Sequence, residues 1–360
     1  FKLTWYFQIQ KYKNFMRSLV WLRNDLRMDD NPALRQACVS SEEVHCIYIF
    51  SREQMEIHNQ ANCKIEFIIS NLRNLGNSLK EINIPLTIVN SDGFDDNANK
   101  ILDVINERSI SKVYWNNMFG VDENERDREV QNVLNDKNIY YETFNDQVVY
   151  SPGTIITKED KPYSVFTPFK RRWIENFEMD FLDINYKHSV KKPINIKSDL
   201  SKIEFVRTHS VNMDHWPAGE SAAQERLSNF LSLKAESYSE SRNSPILDGT
   251  SRISPYFALG ILSPRRCILE GLKLNNYEFT SGNKGICKWI DEIVWREFYR
   301  NIMHCFPRVS KNRPFQIHTE NLEWRYSEKE LQAFYSGNTG FPIVDAGIRQ
   351  MIETGWMHNR

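Results

Sequence analysis

The segment WIDEIVWREFYRNIM at 289–303 gathers the densest set of chemically capable side chains in the sequence. Placed on a helix, Glu292, Trp295, Arg296 and Tyr299 fall at i, i+3, i+4 and i+7, so a carboxylate, an indole, a guanidinium and a phenol share one face. Ile290, Ile293, Val294 and Phe298 take the other positions and can face a core. A flat ring beside an acid and a fixed cation suits an unstacked base, the ring stacking and the charges meeting polar edges or phosphate. The blander alternative is an amphipathic helix with a salt-bridged surface. Two large aromatics on the polar side weigh against it.

A second segment, GTSRISPYFALGILSPRRC at 249–267, opens with a hydroxyl-rich turn. Thr250, Ser251 and Ser254, with Arg252, could hold a diphosphate near a helix start; alone, T-S-x-x-S is also an ordinary capped helix. A third, GNTGFPIVDAGIRQMIETGWMHNR at 337–360, makes turns at its glycines. Ile343, Val344, Ile348 and Ile352 form a helical core stripe there, and the segment ends on Trp356, His358, Asn359 and Arg360. A lone histidine in such a place is more often structural than catalytic.

These segments need a scaffold, and the residues before them supply a different kind of pattern. From Ser18, short apolar runs alternate with longer amphipathic ones: SLVWLR, then VHCIYIF at 44–50, PLTIVN at 85–90, KVYWNN at 112–117 and YYETF at 140–144. Five strands with intervening helices predict a parallel, doubly wound α/β sheet over residues 17–147. Ile65, Ile68, Ile69, Leu72, Leu75 and Leu79 recur at helical spacing and should pack on it. No G-x-G-x-x-G follows the first strand and no G-x-x-x-x-G-K-[ST] occurs, which disfavours dehydrogenase and P-loop readings. Residues 148–218 read as a long connector rich in Pro, Lys, Asn and Ser, and 219–360 as a helical domain without strands.

Composition narrows the classes further. Forty-six Lys and Arg against 47 Asp and Glu leave a net charge of −1, so a nucleic-acid surface must be a local patch. Three small basic clusters qualify, each as readily a solvated face as a phosphate contact: Lys170–Arg172, Arg265–Arg266, and Lys311 with Arg313. The six cysteines are scattered without metal-ligand spacing and read as reduced thiols of a cytoplasmic protein. No window resembles a membrane span. Residues 1–16, ahead of the first strand, read as an extension outside the fold.

Taken in order, LVWLRNDLRMDDNPAL at 19–34, YSVFTPFKRRW at 163–173, the 249–267 block, WIDEIVWREFYRNIMHCFP, KNRPF at 311–315 and TGFPIVDAGIRQMIETGWMHNR resemble the photolyase/cryptochrome family. That resemblance implies an α/β domain for an antenna chromophore and a helical domain for FAD, with a cavity for a pyrimidine dimer flipped out of UV-damaged DNA. It implies flavin contacts at Tyr238, Thr250, Ser251, Arg252, Ile253, Ser254 and Trp289. Dimer and DNA contacts would fall on Arg242, Glu292, Trp295, Arg296, Tyr299, Asn359 and Arg360. Trp295 would stack on the damaged bases, Glu292 would hydrogen-bond them and the arginines would meet phosphates. Trp324 matches the solvent-end tryptophan of an electron relay.

GWMHNR resembles the bacterial members that split cyclobutane dimers with light, since the relatives acting on other photoproducts or as sensors usually carry a second His where Asn359 stands. Asp122 and Glu123, faced by Ser310 and Lys311, match an Asn-Glu pair that binds 5,10-methenyltetrahydrofolate. The carboxylate of Asp122 only accepts where the amide also donates, which leaves a deazaflavin or no antenna open. Members of the family continue with more helices, so the resemblance implies a helical domain incomplete at its C-terminus that holds FAD weakly or not at all. The expected partner is damaged DNA, met by a monomer with no obligate protein partner and no membrane. Two other readings stand beside this one: a cryptochrome-type blue-light sensor, and a nucleotide-binding or electron-transfer α/β protein without DNA activity.

Overall fold

The computed structural model describes residues 16–194, 196–201 and 211–360; the proposed extension at 1–16 lies outside them except for Met16. The first part runs β1 (Arg17–Leu22), α1 (Pro32–Ser40), β2 (Glu43–Phe50), α2 (Arg52–Ile57), α3 (Asn62–Glu81), β3 (Leu86–Asn90), α4 (Asn97–Arg108), β4 (Lys112–Asn116), α5 (Val121–Asp136) and β5 (Tyr140–Phe144). The five strands pair in parallel in the order β3-β2-β1-β4-β5, with Trp21 of the central strand opposite both Ile47 and Trp115. Strand order turns back at β1, the arrangement that opens a crevice at the C-terminal strand ends.

Alternation along the strands divides the interior in two. Leu19, Trp21, Ile47, Val113 and Trp115 face α4 and α5. Val20, Leu22, Cys46, Tyr48, Leu86 and Ile88 face α1 and α3, and that core runs on into the helical part. All six apolar positions predicted for the 65–79 stripe are buried in α3.

The connector is more ordered than its composition suggests, because it contains α6 (Phe166–Glu175). Phe166, Phe169 and Trp173, at i, i+3 and i+7, are its buried stripe. Beyond it come α7 (Glu220–Leu233), α8 (Tyr238–Ser241), α9 (Ser254–Ala258), α10 (Pro264–Leu274), α11 (Lys284–Cys305), α12 (Glu328–Tyr335) and α13 (Pro342–Thr354). Among the described residues no strand follows β5, and no helix is long and apolar enough to cross a membrane.

The two parts are joined through the loop that leaves β1. Arg27 donates to the Asp146 carboxylate (2.8 Å) and to the Gly260 carbonyl (2.9 Å), wholly out of solvent. Leu26 N–H donates to Leu259 O at 3.1 Å. Asp30 accepts from Ser263 and Arg265, Asp29 pairs with Arg266 at 2.6 Å, and Glu220 accepts from the Met28 and Asp29 amides.

Two sequence expectations are corrected here. Arg265 and Arg266 are not a phosphate-facing patch, since both guanidiniums are spent on Asp30 and Asp29 at the junction. Ile343, Val344 and Ile352 are not core: they are 68%, 38% and 44% exposed, and only Ile348 is buried. The stripe exists on α13, but among the described residues it is covered only at Ile348.

Candidate functional site

Helix α11 is anchored by its first residues. The Asn283 side chain accepts from the Gly285 and Ile286 amides, the usual way an N-cap satisfies orphan donors. Gly285 lies so close to the carbonyls of Ala235 and Glu236 that a Cβ there would collide with both oxygens. This close approach sets α11 against α8. Ile290, Ile293, Val294 and Phe298 are buried as expected, and Glu292, Trp295, Arg296 and Tyr299 share the opposite side, with Tyr299 58% exposed.

A cavity of about 480 Å³ opens beside this helix. One wall is Tyr238 and the turn Thr250–Ser254, the other is Trp289, Glu292, Ile293 and Arg296 of α11. Asn359 joins the lining, so the 250–254 turn, helix α11 and the end of the 337–360 block converge on one space. Arg300, Phe257, Ala258, Trp356 and Met357 complete the lining. Of these, Arg300 was legible in sequence as the next step of the Glu292, Arg296 row at i+4.

The cavity is electropositive. Arg296 is pushed down to about 10 by burial and by the neighbouring Arg300, and burial lowers Arg300 as well. Arg296 donates to the Gln147 carbonyl at 2.5 Å and lies over the Phe257 ring, and neither arginine makes an ion pair among the described residues. Arg252, held at φ +49°, pairs with Asp248 at 3.0 Å and lies over the Trp356 ring, with its buried Nε unpartnered. Two largely buried arginines that make no direct ion pair, Arg296 and Arg300, next to threonine and serine hydroxyls, suit an anionic cofactor carrying phosphates.

Arg242 and Glu292 meet as a pair at 2.5 Å, with Lys288 3.8 Å from the same carboxylate. Arg242 is buried, so its charge serves Glu292 rather than standing free for phosphate. Arg360 donates to the Asn243 side chain at 2.9 Å, which brings it beside this pair. Trp295 does not line the cavity; its ring stacks on Phe166 with centroids 3.7 Å apart and planes 10° apart, and Tyr299 lies beside it at 5.6 Å. Trp324 stands apart from these groups and is 87% exposed. Of the basic clusters, Lys170 is paired with Asp291, Arg172 with Glu175 and Arg313 with Glu320.

The structure also shows a residue that sequence reading passed over. Glu297, buried on α11, accepts from the Val149 and Tyr150 amides and from Trp173 Nε1 at 2.7–3.0 Å. Burial raises its pKa although all three donors oppose the shift. The signal was a carboxylate at i+4 from Ile293 and i+7 from Ile290, on the apolar stripe itself.

A second cavity, about 300 Å³, lies at the C-terminal strand ends and is lined by Trp21, Arg23, Tyr48, His58, Lys64, Glu123 and Arg126 among others. The three proposed antenna residues divide around it. Glu123 lines it; Asp122 lies outside, 4.0 Å from His58 Nε2. Lys311 is exposed on the helical side, next to Ser310, whose hydroxyl accepts from the Val121 amide.

Comparison with known proteins agrees with both halves of this description. The DNA photolyase family model matches residues 18–191, and the model for the FAD binding domain of DNA photolyase matches residues 289–360. The deoxyribodipyrimidine photo-lyase of Escherichia coli K12 is 36% identical over 343 residues, covering 95% of this chain and 72% of that protein. A bacterial class III photolyase from Agrobacterium tumefaciens superimposes with a TM-score of 0.84 at 28% identity, covering 96% of this chain and 71% of the other. A Synechocystis cryptochrome shares the fold, with a TM-score of 0.78 at 23% identity over 97% of this chain and 74% of its own. With its α/β sheet matched by one model, the lining of its electropositive cavity from Trp289 to Asn359 by the other, and a relative this similar over nearly its whole length, the chain belongs to the DNA photolyase family.

Proposed function

We propose that this protein repairs UV-damaged DNA by splitting cyclobutane pyrimidine dimers with blue light. One observation carries the reading: the 480 Å³ cavity brings the Thr250–Ser254 turn, suited to phosphates, against Glu292 and Arg296, suited to the polar edges of a flipped base. FAD is the cofactor these residues would hold; when bound in reduced form and photoexcited it would lend the dimer one electron and take it back once the ring has opened.

The chain's own task is then placement and electrostatics. Tyr238, Trp289 and residues 250–254 would hold FAD, with Arg252, Arg296 and Arg300 offsetting its phosphates. Glu292, oriented by Arg242, would accept hydrogen bonds from the dimer's imide groups. Trp295 and Tyr299 would offer ring surface to the extruded bases, and Asn359 and Arg360 would meet the lesion strand at the rim. Trp324, at the surface, would be the solvent end of an electron relay. Such a protein would work as a monomer in the cytoplasm, on chromosomal DNA.

An antenna chromophore on Glu123 fits the same scheme. Folate would rest at the domain rim, against Asp122 and Lys311. Binding of 5,10-methenyltetrahydrofolate that survives Glu123→Ala would remove this assignment.

The test of the function is direct. The chain is incubated with excess FAD, gel-filtered, reduced, and illuminated with a dimer-containing oligonucleotide, with a dark control. Light-dependent loss of the dimer is expected, with flavin retained at less than one per chain in keeping with the weak binding anticipated from the sequence; stoichiometric flavin would overturn that anticipation. Retained flavin without repair would point to a light sensor instead, and no flavin would overturn the cavity's assignment.

A further inference from the structure

The segment YSVFTPFKRRW gives the cavity no lining residue, yet it holds the helix that carries the site. Helix α6 is fastened to α11 by a polar tie at each side. Lys170 Nζ lies 2.5 Å from Asp291 Oδ1, and Trp173 Nε1 donates to Glu297 at 2.7 Å. Between these ties Phe166 lies flat on the Trp295 indole, 3.7 Å between centroids and 10° between planes. Phe166 also meets Phe298 edge-on, and Phe169 packs on that same ring at 5.2 Å.

Phe166 is only 9% exposed, so it does not itself reach a ligand. Its effect must pass through Trp295, which is partly exposed. An exposed indole ordinarily samples several rotamers and loses that freedom when a base stacks on it. An indole already pressed on a fixed ring has lost it beforehand.

We propose that Phe166 is a positioning residue for damaged DNA: α6 holds its ring as the floor that fixes the Trp295 indole in the plane that an extruded base meets. This rests on the reading of Trp295 as a base-stacking residue. Ordinary nucleic-acid affinity, which comes from phosphate contacts, does not depend on the stack.

The experiment is a double-mutant cycle on the FAD-loaded full chain. Dissociation constants are measured in the dark for an oligonucleotide with one thymine dimer and for its undamaged counterpart. Phe166→Leu should weaken dimer binding roughly 2- to 10-fold, the span expected from one ordered aromatic side chain, and leave undamaged binding unchanged. Phe166→Tyr should restore it. In a Trp295→Ala background, Phe166→Leu should have no further effect.

An unchanged dimer affinity in Phe166→Leu overturns the inference. So does an equal loss on both oligonucleotides, or the same loss with and without Trp295, each of which reduces Phe166 to packing. If Phe166→Leu fails to fold, Phe166→Met takes its place in the cycle under the same criteria. Dimer affinity that survives Trp295→Ala sinks the stacking reading itself, an outcome distinct from failure at Phe166 alone.

Discussion

Single residues in this structure are held by unequal means, and the buried acids show it best. Glu297 makes no ion pair among the described residues and relies chiefly on three N–H donors. Glu297→Ala leaves all three without an acceptor, and since each orphaned buried donor costs about 1–3 kcal/mol, a loss of at least about 3 kcal/mol in urea unfolding is expected. His45 shows the opposite charge logic. Burial, then the charges of Arg108 and Arg17, push it down to about 4, while its Nε2 shares a hydrogen bond with Thr87 Oγ1 at 2.9 Å. Between pH 6.5 and 4 the unfolded chain takes up a proton that the folded one refuses. Stability is therefore full above 6.5 and declines as pH falls, by at most about 1.4 kcal/mol per pH unit. His45→Gln should flatten the urea midpoint between pH 6.5 and 5. Sequence reading found Glu292, Trp295, Arg296 and Tyr299 because helical spacing alone aligns them. It could not show that Arg242 is consumed by Glu292, because that pair spans fifty residues.

Among the elements, the strands were legible because each is a short apolar run in which few residues could do anything else, and the 65–79 helix because its period is clean. Helix α6 was hidden by Pro168 and by the basic run Lys170–Arg172, although Phe166, Phe169 and Trp173 already spelled an apolar stripe. The α13 stripe misled in the other direction, since periodicity reports a helix face but not whether anything lies against it. Helix α11 depends on its approach to the chain at Ala235 and Glu236. Gly285→Ala forces a methyl into two carbonyl oxygens, and a loss of about 1–3 kcal/mol is expected, the range for overpacking. Because Trp289 and Glu292 ride on the same helix, the variant should also bind FAD more weakly, as read by flavin fluorescence on titration.

At the scale of the molecule, the α/β and helical parts share one continuous core and a charged junction. Arg27→Ala strands the Asp146 carboxylate in a site with no solvent, which costs about 3–5 kcal/mol where a buried pair is broken from one side. Calorimetry should find that loss in a single transition involving both parts; two separated transitions would show that they fold independently. The junction also bears on grafting this protein with its relatives. A chimaera cut near residue 147 looks safe on paper, because the sheet ends just before. Yet the loop after β1 carries the acids, and α10 carries the arginines that match them. A viable exchange must therefore transplant Asp29 and Asp30 together with Arg265 and Arg266, and must keep a glycine at 260, where a side chain would strike the Asn24 backbone. The seam along which the protein can be taken apart is one of paired residues, and no single cut in the chain follows it.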